Sequence, residues 1–113
     1  MHELSLAEEI LRTIEQAVHG QGCSRVREVG LEIGQLAAVD VDALTFCLES
    51  VFKGSVAEGA RVRIDRVPGE GWCLQCGRPV PIDSLYAQCP RCGSPQVQAT
   101  GGRELRVKDL WVE

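Results

Sequence analysis

The sequence predicts an α+β fold: a small three-stranded sheet with two helices, interrupted by an inserted cysteine-bearing module. Three observations carry this. Apolar residues recur at helical steps in two stretches and alternate at strand spacing in three others. Between residues 68 and 103 both patterns give way to a segment rich in Gly, Pro and Cys. The expected domains are residues 1–67 together with 104–113, and residues 68–103.

Ser5 and Glu8 have capping-box spacing, so the first helix is expected to begin at Ser5. Ala7, Ile10, Leu11, Ile14 and Val18 form its apolar stripe, and Gly20 and Gly22 end it. Val29, Leu31 and Ile33 alternate with Glu28, Gly30 and Glu32, the period of a strand with one buried face that closes at Gly34. Asp40 or Asp42 then caps a second helix whose inner face is Leu44, Cys47, Leu48, Val51 and Phe52. Val62, Ile64 and Val67, set against Arg61, Arg63 and Arg66, predict a second strand. The tail from Glu104 is too short to fold alone and too apolar to dangle, so it is expected to add a third strand. Its apolar positions shift from odd (Leu105, Val107) to even (Leu110, Val112), which predicts a bulge or bend near Asp109.

Composition narrows the function classes. With two Trp, two Phe and one Tyr in 113 residues, bulky ring packing is scarce and a metal staple would help a small folding unit. The net charge is −4 and the Lys and Arg residues form no run along the sequence, which argues against a nucleic-acid partner. The opening residues lack a basic stretch followed by an apolar one, and nothing approaches the roughly 18 apolar residues of a membrane span. A cytoplasmic protein with no membrane partner is the expectation. In that reducing setting six cysteines read as metal ligands or buried thiols.

Cys73-Leu74-Gln75-Cys76-Gly77 and Cys89-Pro90-Arg91-Cys92-Gly93 are two CxxC turns separated by twelve residues. Each turn sets two thiolates on one side of a knuckle, and the following glycine lets backbone N–H groups point at the sulfurs. Two knuckles complete a tetrahedral four-sulfur site suited to structural Zn(II), so the inserted module is expected to be a four-cysteine zinc ribbon. A redox CxxC would stand alone, and a catalytic zinc would keep a position open. From Pro68 to Gly102 the module carries only Arg78 and Arg91 as basic residues, against Glu70 and Asp83, and is not a phosphate-tracking surface. Cys47 falls on a helix's apolar stripe and reads as a core thiol, while Cys23 lies in a Gly-rich loop; neither is assigned a role. His19 and the Glu8/Glu9 pair read as helix-end charges.

The first residues carry a second chelating pattern. A free Met1 amine, the His2 amide and the His2 imidazole close fused rings that present three nitrogens nearly in a plane, an arrangement that suits Ni(II) or Cu(II). A fourth donor would be the Glu3 amide or a carboxylate brought near by the fold.

The opening Met1-His2-Glu3-Leu4-Ser5, together with Leu31-Glu32-Ile33-Gly34, Gly54-Ser55-Val56-Ala57-Glu58-Gly59 and the two CxxC turns, resembles the HypA/HybF family of hydrogenase nickel-insertion proteins, in the expected order along the whole chain. The resemblance implies a nickel metallochaperone with an N-terminal α/β nickel domain and an inserted zinc domain. Nickel then falls on the Met1 amine, His2 and the Glu3 backbone, with Asp40 as a further carboxylate, and zinc on Cys73, Cys76, Cys89 and Cys92. Implied partners are a HypB-type nickel GTPase and the large subunit of a [NiFe] hydrogenase, and no catalysis is expected. The ending Leu110-Trp111-Val112-Glu113 departs from the family's usual Ile-Glu. Two rival readings are a zinc-ribbon interaction adaptor without a second metal and a small metal-dependent enzyme.

Overall fold

The computed structural model describes residues 2–113. The elements run α1 (His2–Val18), β1 (Val26–Gly34), α2 (Val41–Phe52), β2 (Arg61–Val67), β3 (Glu70–Cys73), β4 (Arg78–Pro81), β5 (Val97–Gly101) and β6 (Leu105–Val112). They form two three-stranded sheets, ordered β2-β1-β6 and β4-β3-β5. The tail strand β6 therefore joins the sheet of β1 and β2, as its apolar character predicts. The chain divides into two compact units, one of Met1–Leu31, Val39–Ile64 and Arg106–Glu113, the other of Glu32–Ala38 and Asp65–Leu105.

In the first unit α1 packs on α2. Ala7, Ile10 and Ile14 of α1, Leu44, Leu48 and Phe52 of α2, and Val29 and Leu31 of β1 are all buried. Each larger side chain among them contributes roughly 1.5–3 kcal/mol by leaving water. The first helix begins at His2, three residues before the predicted start, and Ser5 is an exposed helical residue, so no capping box forms there. The earlier start places Glu3 in the first turn, where a carboxylate meets the positive helix end. Gly20 (φ 75°) and Gly22 (φ 71°) take left-handed conformations just beyond the helix, as a stop requires.

Asp40 rather than Asp42 caps α2: its Oδ1 accepts the Ala43 N–H at 3.1 Å. After α2 the Gly54–Gly59 stretch folds on itself. Glu58 accepts the Gly54 N–H at 2.5 Å, the Ser55 hydroxyl donates to the Phe52 carbonyl at 2.7 Å, and Ala57 is fully buried. In β6, half-buried Leu105 and Val107 alternate with exposed Arg106 and Lys108. Asp109 and Leu110 are then both half-buried, and Trp111 and Val112 are exposed.

In the second unit β3 lies between β4 and β5 and is antiparallel to both. Its core comprises Cys73, Val80, Ile82, Cys89 and Leu36, the last from the segment that follows β1. The Leu36 N–H donates to the Gly102 carbonyl and the Gln35 N–H to the Val67 carbonyl, both at 2.7 Å. The Gln35 side chain accepts the Gly69 N–H at 2.9 Å. This close threading needs glycine at Gly102, where φ is +79° and a Cβ would stand 2.5 Å from the Pro68 carbonyl oxygen.

Leu36→Ala is expected to remove about 2–4 kcal/mol from the second unit through lost burial and a cavity. Urea unfolding of the zinc-loaded protein should show an earlier transition for this variant, and an unshifted curve would place Leu36 outside the core.

Candidate metal centres

Two knuckles build the first centre. Cys73 ends β3, and in the turn that follows its sulfur accepts the Cys76 N–H at 3.3 Å while its carbonyl accepts the Gly77 N–H at 2.8 Å. The second knuckle repeats the pattern. Cys89 Sγ accepts N–H groups from Arg91 (3.4 Å) and Cys92 (3.5 Å), and the Cys89 carbonyl accepts the Gly93 N–H at 2.8 Å. Left-handed Gly77 (φ 65°) and Gly93 (φ 75°) make both turns possible.

The four sulfurs lie within 4.8 Å of one another, with Cys73–Cys92 at 3.7 Å and Cys76–Cys89 at 3.9 Å. A tetrahedron with Zn–S bonds of about 2.3 Å has S···S edges of about 3.8 Å, so these sulfurs already stand at the corners of a zinc site. They are far beyond the roughly 2.05 Å of a disulfide. The N–H groups of Cys92 and Arg91 draw the Cys89 thiol down to about 6 against the opposing effect of burial. Cys76, hydrogen-bonded to the Cys92 sulfur, desolvated and crowded by the other thiols, is pushed up to about 12. A dication replaces those shared protons, and four protein sulfurs leave it no open position. That donor set is a structural zinc site.

The second candidate lies at the start of α1. Met1, and with it the expected amine donor, falls outside the described residues. The structure brings together His2, Glu3 and Asp40 through one carboxylate. Glu3 Oε2 stands 3.7 Å from His2 Nδ1 and accepts the Asp40 N–H at 3.2 Å. The Asp40 side chain is occupied on Oδ1 by its cap to Ala43. Because α1 begins at His2, the amides of His2 and Glu3 are among the first four N–H groups, which have no acceptor within the helix.

The Asp40 N–H first, then its own N–H and the charge of His2, hold the Glu3 carboxyl below its ordinary value. The Asp40 link was not legible in the sequence, since residues 37 apart meet only in the folded chain. Among the described residues no other group of three or more His, Cys, Asp or Glu side chains comes as close as the cysteine quartet. Neither Cys23 nor Cys47 joins a ligand set.

The family model described as hydrogenase/urease nickel incorporation, metallochaperone, HypA matches residues 1–112. A hydrogenase maturation factor HypA of Dechloromonas aromatica is 51% identical over 113 residues, covering 100% of both chains. One from an Azoarcus species is 56% identical over 110 residues, covering 97% of this chain and 96% of its own. Among solved structures, the solution structure of the Ni metallochaperone HypA from Helicobacter pylori superposes with a TM-score of 0.71 at 25% identity, covering 99% of this chain and 97% of that one.

The Glu3 link has a definite pH dependence. A carboxyl whose folded pKa lies below its ordinary 4.5 stabilises the fold above that value and loses its contribution as pH falls through the lower folded pKa. In the nickel-free protein, acidification below pH 4.5 should therefore expose the Asp40 amide to faster hydrogen exchange than its helix neighbours, and Glu3→Gln should flatten that dependence. An Asp40 amide whose protection follows the global fold in both proteins would contradict the link.

Proposed function

This chain belongs to the HypA family of hydrogenase and urease nickel-incorporation metallochaperones, and we propose that it binds one Ni(II) at its first residues and delivers it during assembly of a [NiFe] hydrogenase active site. The observation that carries the proposal is the Glu3 carboxylate, which gathers His2 and the Asp40 backbone at the start of α1. Nickel is cargo here. Its donors are the Met1 amine, the His2 amide and imidazole, and the Glu3 amide, a nitrogen plane that suits Ni(II). Asp40 supplies a further carboxylate oxygen beside the one that caps α2.

The electrostatics suit a site that lets go. Glu3 is in the first turn of α1 and bonds the N-cap of α2, so two positive helix ends meet the carboxylate. That field opposes a dication and favours loss of amide protons. Binding is then linked to proton release, acid frees the metal, and a partner can replace one donor at a time. Zinc stays on the four cysteines of the second compact unit, while the nickel donors belong to the first. In this reading the partners are a HypB-type GTPase and the large subunit of a [NiFe] hydrogenase in the cytoplasm, and the chain itself catalyses nothing.

Calorimetry on zinc-loaded, untagged protein should find one nickel per chain, lost in His2→Ala and in a version with residues added before Met1. Asp40→Asn, which keeps a good cap without the charge, should weaken nickel several-fold and leave the melting temperature in place. Equal nickel binding by all these proteins would contradict the terminal chelate, and one metal per chain in all of them would favour the zinc-ribbon adaptor.

A further inference from the structure

The sheet of β2, β1 and β6 carries a charged face that nickel handling leaves unused. On β1, Glu28 and Gly30 point away from the buried Val29 and Leu31. Arg63 of β2 crosses this face, donating to Glu28 at 2.8 Å and to both oxygens of Asp109 at 2.9 Å. Gly30 makes room for it, because a Cβ there would overlap Asp109 and the Arg63 guanidinium. Arg63 is thus held in place between two carboxylates.

Beside this pin runs an open groove of about 800 Å³ whose lining includes Arg25, Arg27, Arg61, Arg63, Trp111 and Val112. Four of the chain's 12 basic residues meet here although its net charge is −4. Arg63 offsets one of the charges of Glu28 and Asp109, and the Glu113 side chain stands 3.4 Å from Arg25 and 4.0 Å from Arg27, so the four arginines outweigh the three carboxylates by one. The Glu113 pairs are about half exposed and worth little, so an incoming carboxylate exchanges with them easily. Arg61 makes no ion pair among the described residues. Trp111 is 63% exposed and Val112 48% exposed at the same groove, and Trp and Arg are the residue types that dominate binding hot spots.

We propose that this groove docks an acidic, extended segment of a partner protein, with carboxylates on Arg27 and Arg61 and an apolar side chain against Trp111. The mixed lining favours a peptide over a small anion. Arg27 and Arg61 come from two different strands and share the groove with exposed Trp111 and Val112, which calls for a ligand carrying both acidic and apolar groups. The docking face is separate from the nickel site and stands or falls independently of it.

The test uses zinc-loaded full-length protein and a fluorescein-labelled peptide of alternating aspartate and leucine, with an asparagine-leucine peptide as control. At low salt the acidic peptide should bind about tenfold tighter than the neutral one, and added salt should erase the difference. Arg27→Glu with Arg61→Glu should weaken it about tenfold, Trp111→Ala about fivefold, and nickel binding should stay unchanged in both. Arg27→Gln with Arg61→Gln, which removes charge alone, should show the same direction of loss and guards against a folding defect. Equal binding of the two peptides, no binding, or no effect of the arginine variants overturns the proposal. So does displacement of the peptide by pyrophosphate at lower concentration than the peptide itself needs, or a concentration-dependent dimer that the same variants abolish.

Discussion

The buried face of β1 is the constraint on which the other parts of this protein depend. Val29, Leu31 and Ile33 are fully buried, and a slip of one residue in register would turn all three toward the opposite face. Burial worth roughly 1.5–3 kcal/mol per side chain holds the strand against that slip. With the register fixed, Gly30 falls where Arg63 and Asp109 need space. A few residues on, Leu36 enters the core of the zinc unit and Asp40 caps α2 while donating to Glu3. One strand and the segment after it thus supply a residue to each functional region.

The two metal centres answer different physical demands. The cysteine quartet is preorganised: its sulfurs sit at tetrahedral spacing, and backbone N–H groups already point at Cys73 and Cys89. A unit whose core is five buried residues gains much of its stability from such an ion, since structural zinc contributes about 10 kcal/mol or more at neutral pH. The start of α1 is the reverse. On the proposed reading its donors are backbone nitrogens and an exposed imidazole, steered by one carboxylate, so a metal bound there would displace protons and work against two helix ends. Tight holding belongs to the first arrangement and exchange to the second.

Much of this was legible in the sequence, because periodicity and ligand spacing are local. The α2 face, the β1 alternation, the β6 addition and the zinc quartet are all set by residues close in the chain or by the valence of the metal. The start of α1 departs from the local signal for a physical reason. Ser5 and Glu8 have the spacing of a capping box, but the helix gains more by reaching back to His2, where Glu3 finds a tertiary hydrogen bond to Asp40. Leu36 in the zinc core and the gathering of Arg25, Arg27, Arg61 and Arg63 were likewise invisible, since each joins segments distant in sequence. The family resemblance pointed to His2 as a candidate; only the fold showed the Glu3 carboxylate that links it to Asp40.

The most direct test of a terminal nickel site distinct from the zinc quartet is nickel K-edge X-ray absorption on zinc-loaded protein carrying one equivalent of Ni(II). The account predicts a planar, low-coordinate nickel with nitrogen donors, an imidazole outer-shell signature and no sulfur scattering. Nickel–sulfur scattering, with zinc displaced from the cysteines, would contradict it.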